Sequence, residues 1–324
     1  MDTEYVIGLL KHDMMAEHQA IIQYLAHAYA MGEGEIACEI EAISRDEMRH
    51  LEWLAETIVE LGGDPTMERL PVDFSSAPPA DQLHKDIDLE QMAINDYRAH
   101  IQAIDDPKIQ RLLRRILHDE LRHQDEFRGL AEEAAKGEGM TAVPEGEQDQ
   151  PIPPEPTAPP RLASILNEGV RHEYTVILQY LFHYFVAEGK ELSEEMREAS
   201  INEMQHMGWL SEELSGRGGR PDMNHEEPVL TRDMIKALQA NIAVEESVTG
   251  SYTDHLPEIE DPDLRLLLSR IRDHEMYHSA VFRDLLEEVK QESGAAPASG
   301  QAAKPIEKRP STIPSVGSLK SQDR

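Results

Sequence analysis

A glutamate and a histidine three residues apart on a helix project from one face, so a single metal ion can take an oxygen from the first and a nitrogen from the second. The chain carries this pair at Glu47/His50, Glu120/His123, Glu203/His206 and Glu275/His278. Lone glutamates keep step with them. Thirty residues separate Glu17 from Glu47, Glu90 from Glu120, Glu173 from Glu203 and Glu245 from Glu275. Four carboxylates and two imidazoles brought together can hold two divalent cations, with shared carboxylates bridging them and the negative side chains compensating the metal charge. One Glu-x-x-His alone is the ordinary content of a solvated acidic helix face. Four, each on a separate predicted helix and at matched intervals, form a metal-site pattern.

The elements that position these residues come in two copies. Gln23-Tyr24, His27, Glu47, His50 and Trp53 recur 156 residues later at Gln179-Tyr180, His183, Glu203, His206 and Trp209. Glu90, Tyr97, His100, Asp106-Pro107, Glu120 and His123 recur 155 residues later, so one residue is lost between the two sets. Apolar residues at helical spacing predict helices over roughly 3–31, 35–61, 81–104 and 107–136, then 161–188, 191–216, 231–256 and 262–291. Asp106-Pro107 and Asp261-Pro262 are start signals, a capping carboxylate followed by a proline whose missing N–H costs nothing in the first turn. The fold class is all-α: two tandem four-helix bundles over residues 1–136 and 161–292. Residues 137–160 hold seven prolines and read as an extended linker, and residues 293–324 read as a disordered tail.

Composition narrows the partners. The 63 Asp+Glu against 31 Lys+Arg give a formal net charge of -32, which repels nucleic acid and anionic membranes and attracts cations. The single cysteine, Cys38, excludes an internal disulfide and a Cys-rich metal centre, and suits a reducing compartment. No apolar stretch has the length of a signal peptide or a membrane span, so a cytoplasmic protein is expected.

The strings Glu17-His-Gln-Ala-Ile-Ile-Gln-Tyr24, Glu47-Met-Arg-His50 and Glu120-Leu-Arg-His123, with Glu203-Met-Gln-His206 and Glu275-Met-Tyr-His278 in the second copy, resemble the bacterioferritins among the ferritin-like proteins. The resemblance covers residues 3–136 and 161–291 and implies two irons per bundle. It makes Glu47, Glu120, Glu203 and Glu275 bridging ligands. Terminal ligands would be Glu17, His50, Glu90 and His123 in the first copy, with Glu173, His206, Glu245 and His278 in the second. Glu245 is preferred over its neighbour Glu246 because it keeps the seven-residue step to Tyr252 that Glu90 keeps to Tyr97. Tyr24 and Tyr180 lie two turns beyond the first-helix glutamates, where a phenol donates to a ligand or supplies an electron; a packed core tyrosine is the plain alternative. His27, His100, His183 and His255 read as core histidines before they read as an ion path. Met48 and Met204 match the methionine that ligates haem b across a twofold interface in bacterioferritins, against the alternative of apolar side chains at a helix contact. Such an interface would form between two chains or within one, as an intramolecular pseudo-dimer.

Neither half continues into a short fifth helix of the cage-closing kind, so a self-assembled storage shell is not expected. The tail segment Ile313-Pro-Ser-Val-Gly-Ser-Leu-Lys320 resembles the peptides that load cargo into encapsulin shells. Ile313, Val316 and Leu319 would dock in a groove, with Gly317-Ser318 as a flexible joint and Lys320 closing the motif. The expected activity is that of a ferroxidase inside an encapsulin nanocompartment, oxidising Fe(II) with dioxygen or peroxide. The rivals are peroxide removal of the rubrerythrin or manganese catalase kind, with manganese as the metal, and a non-catalytic iron carrier.

Overall fold

The computed structural model describes residues 2–32, 34–75, 77–137, 139 and 158–294. The tail with Ile313–Lys320 and most of the 137–160 connection lie outside the described residues. Among those described, eight α-helices and one short 3-10 turn account for the architecture, and no helix is long and apolar enough to cross a membrane.

The first bundle comprises α1 (Thr3–Met31), α2 (Glu35–Glu60), α3 (Pro79–Ala103) and α4 (Pro107–Lys136). The second comprises α5 (Pro160–Val186), α6 (Lys190–Ser215), α7 (Met234–His255) and α8 (Pro262–Gly294). Local chemistry sets these limits. The Asp106 carboxylate accepts from the backbone N–H of Lys108 at 2.7 Å and of Ile109 at 3.1 Å, and Asp261 does the same for Asp263 and Leu264. Gly137 closes α4 in the left-handed region at φ 73°, where a side chain would be strained. The seventh helix starts at Met234 and not at 231, because Asp233 caps it by accepting from the backbone N–H of Lys236.

Each bundle is two helical hairpins joined by a long connection, residues 61–78 in the first. That connection runs back along α1. Leu70 N–H donates to the Met15 carbonyl at 3.1 Å, and His18 Nδ1 lies 3.2 Å from the Glu68 carbonyl. Crossing over in this way places four helices around one axis, so mid-helix side chains from all four converge.

The bundles also pack against each other. One apolar core runs through both, including Leu10, Ile22, Leu54 and Leu113 from the first and Leu166, Leu178, Leu210 and Leu268 from the second. Contacts of α1 with α6 are mirrored by contacts of α2 with α5, the reciprocal pattern of a twofold pair made here inside one chain. Smaller cores around Ile40 and Phe127, and around Met196 and Phe282, fill the far ends of the two bundles.

Candidate metal centre

The ligand-type side chains sit mid-helix: Glu17 on α1, Glu47 and His50 on α2, Glu90 on α3, Glu120 and His123 on α4. None is more than 3 % exposed. They form two overlapping groups. Glu17, Glu47, His50 and Glu120 bring one ligand atom each within 4.8 Å of one another, as do Glu47, Glu90, Glu120 and His123. Glu47 and Glu120 belong to both groups, which is where a bridging carboxylate has to be. The second bundle repeats this with Glu173, Glu203, His206 and Glu275, and with Glu203, Glu245, Glu275 and His278. Glu246, the alternative to Glu245, is exposed and pairs with Arg283.

The atoms that converge are those a cation needs. His50 Nδ1 lies 2.8 Å from Glu47 and 2.9 Å from Glu120, and His123 Nδ1 lies 2.9 Å from Glu47. Despite that closeness, Glu47 Oε1 and Oε2, His50 Nδ1, Glu90 Oε2, Glu120 Oε1 and His123 Nδ1 have no hydrogen-bond partner among the described residues. Buried polar atoms left unpaired are rare in proteins, and these six belong to the residues of the two overlapping groups, an arrangement that a pair of cations would satisfy. The donor set fits a pair of divalent transition metals, oxygen-rich with one imidazole nitrogen per ion.

Burial and neighbouring negative charge make most of these groups hold their protons more tightly than free ones do. Burial, followed by the Glu47 charge, pushes both Glu17 and Glu120 up to about 8. Burial and the Glu120 charge push Glu90 well above the carboxylate range. Burial opposes charge on His123, but Glu47 outweighs it and raises the imidazole to about 9. Glu47 goes the other way, since His123 and His50 overcome its burial and hold it below the usual range.

A second pattern lies within each bundle. Residues 73 positions apart in the first bundle are equivalent: Asp13 and Asp86, Glu17 and Glu90, Tyr24 and Tyr97, His27 and His100. Their contacts cross between hairpins. Tyr24 donates to Glu90 at 2.6 Å, and Tyr97 donates to Glu17. In the second bundle Tyr180 donates to Glu245 and Tyr252 to Glu173. One turn farther out, His27 Nδ1 is 2.9 Å from Asp86 and His100 Nδ1 is 2.7 Å from Asp13. Helical spacing from the glutamates marks Tyr24 and Tyr180, leaves Tyr97 and Tyr252 as landmarks, and does not mark Asp13, Asp46, Asp86 or Asp119. The shared step from Glu90 to Tyr97 and the i,i+4 pairs Asp13/Glu17 and Asp86/Glu90 were the available signals.

His27 and His183 are buried with Nδ1 partnered, by Asp86 and by Asn241, and with Nε2 unpartnered among the described residues. His255 is less enclosed, 3.5 Å from Ser251 Oγ. Met48 and Met204 are each half-buried against the core shared by the two bundles.

Residues 7–136 and 163–291 each match the ferritin-like domain family. A bacterioferritin from Desulfovibrio desulfuricans is 32 % identical over 124 residues, covering 36 % of this chain and 69 % of that protein. A crystal structure of the bacterioferritin of that species, describing its diiron site in different catalytic states, is 30 % identical, with a TM-score of 0.40 over 44 % of this chain and 94 % of that one. The manganese catalase KatB from Anabaena is 19 % identical, with a TM-score of 0.37 over 48 % of this chain and 86 % of that one. The chain belongs to the ferritin-like family and carries two copies of its domain in one polypeptide.

Proposed function

We propose that the protein is a ferroxidase that oxidises Fe(II) to Fe(III) at one dinuclear site per bundle. The observation that carries this reading is the pair of overlapping four-ligand groups that share Glu47 and Glu120, and Glu203 and Glu275. Relatedness to bacterioferritin supports iron as the metal. When bound, the metal pair supplies the redox chemistry, with dioxygen or peroxide as the electron acceptor.

The protein's own residues bind, orient and compensate. Glu47, Glu120, Glu203 and Glu275 would bridge the two ions, and the remaining glutamates and histidines of each group would hold one ion each. Tyr24, Tyr97, Tyr180 and Tyr252 keep the four terminal carboxylates in place through phenolic hydrogen bonds. Tyr24 and Tyr180 are close enough to the site to serve as electron donors as well. The acidic surface favours the approach of Fe(II).

Two further assignments complete the reading. The thioethers of Met48 and Met204 are the groups that would ligate a haem between the bundles; a Soret band in purified protein supports this, and a spectrum without one leaves them as apolar packing. The segment Ile313–Lys320 would load the enzyme into an encapsulin shell. Removing it should abolish co-purification with a co-expressed shell, and retention of the truncated chain would refute the cargo role.

The central test is Fe(II)-dependent dioxygen or peroxide consumption by the Glu47→Ala, Glu203→Ala double variant. Turnover should be lost, and turnover equal to the parent's would overturn the assignment.

A further inference from the structure

The two clusters carry the same ligand-type side chains in different surroundings. In the first bundle each cluster imidazole turns its outer nitrogen to a carboxylate: His50 Nε2 lies 3.4 Å from Asp119, and His123 Nε2 lies 3.3 Å from Asp46. Among the described residues the second bundle has no carboxylate hydrogen-bonded at either place. His206 Nε2 meets His274 Nδ1 at 3.0 Å, and His278 Nε2 meets Asn202 at 3.2 Å. The exchange continues one turn beyond the terminal glutamates, where Asn241 and Gly169 occupy the positions equivalent to Asp86 and Asp13. All four aspartates around the first cluster are thus replaced around the second.

Net charge is not the main difference on the histidine side. Arg122 and Arg49 both pair with Asp46, and their counterparts in the second bundle are Tyr277 and Gln205. What differs is the strength of the acceptor behind each imidazole, and what covers it. Arg122 joins Asp46 at 2.6 Å to Glu126 at 2.9 Å and lies 3.1 Å from His123 Nε2, so an ionic bridge lies over the approach to that ligand. At the same place in the second bundle a narrow cleft lined by Glu195, Glu198, Asn202 and Tyr277 reaches His278.

A ligand imidazole that gives its outer N–H to a carboxylate is fixed in one tautomer and becomes more basic, and losing that partner typically costs 10- to 100-fold in metal affinity. We propose that the two centres are unequal: the first holds its metal pair tightly, with Asp46 and Asp119 as positioning residues, and the second exchanges its pair through the cleft beside His278. This rests on the reading that both clusters bind two divalent metals. It divides the molecule into a retained centre and an exchanging one.

The test is calorimetric titration of the metal-free full-length chain with Co(II), anaerobically, followed by competition with a chelator. Two classes of two ions are expected, separated by roughly 10- to 100-fold in Kd, with the weaker class stripped first. Asp46→Asn with Asp119→His should move the tight class toward the weak one, and Asn202→Asp with His274→Asp should tighten the weak class. Circular dichroism checks that each variant keeps its helices. Should one pair of substitutions prevent folding, the parent titration and the other pair still decide. Four equivalent ions would overturn the inequality and leave the metal reading intact. Absence of stoichiometric binding would overturn both, and a tight class that responds only to the second-bundle substitutions would overturn the assignment of tightness to the first.

Discussion

Tyr174 donates its phenolic hydrogen to Nε2 of His18 at 2.6 Å, and these two residues occupy equivalent positions in the two copies of the repeat. Nδ1 of the same ring reaches the Glu68 carbonyl, so the imidazole is used on both sides as a neutral group. Burial lowers its pKa to about 4, from an ordinary value of 6.5. An identical pair at this place would set His against His or Tyr against Tyr, and neither offers the same donor and acceptor match.

Acid should therefore loosen the contact between the bundles. Between pH 6.5 and 4 the unfolded chain binds a proton at His18 that the folded chain does not, so stability falls as pH falls through that window. The contribution is full above about pH 6.5 and amounts to about 3 kcal/mol at most. Comparing urea denaturation of the parent and of His18→Gln at pH 7 and pH 4.5 measures it. Equal losses in the two proteins would show that His18 is not the responsive group.

Metal uptake should release protons. Glu17, Glu120 and His123, raised to about 8, 8 and 9, must give up protons for their lone pairs to reach a cation. Affinity consequently rises as pH increases from 6 toward 9. Calorimetry in buffers of different ionisation enthalpy should give a positive count of released protons, and a count of zero would contradict the protonated cluster.

Tyr97→Phe and Tyr252→Phe remove the donors that hold Glu17 and Glu173. We expect metal affinity to fall by about tenfold in each altered bundle, the lower end of the effect usual for groups that orient ligands. Binding isotherms unchanged by both substitutions would reduce these tyrosines to packing.

Leu54 and Leu210 are equivalent in the repeat, and both are fully buried in the core that runs through the two bundles. Leu→Ala at either should cost about 2–5 kcal/mol. Because that core is continuous, thermal denaturation should show both bundles losing structure in one transition shifted to lower temperature. Two separated transitions in the parent would mean that the bundles unfold independently.

Helix limits and ligand-type residues were legible because both obey local periodicity, and the repeat supplied a second copy of each as an internal check. Asp106 and Asp261 announced helix starts that the structure places within a residue of expectation. Partners across the bundle were harder to read. Tyr24 shares a helix face with Glu17 yet donates to Glu90, 66 residues away, because the hairpins cross and a phenol reaches over to the neighbouring helix. Helical spacing reports which face a residue occupies and nothing about who meets it. The asymmetry between copies was present in the sequence as Asp46 against Asn202 and Asp119 against His274. Its meaning lies in the packing, which sets those side chains at the outer nitrogens of the histidines.

The apolar core common to both bundles joins surfaces that belong to one covalent chain. Their association is a first-order event, set by an effective concentration and not by the amount of protein present. Dilution that would separate two independent subunits leaves this pair together. Each half is also freed from having to match a copy of itself, so a substitution on one face changes the pairing once and not twice.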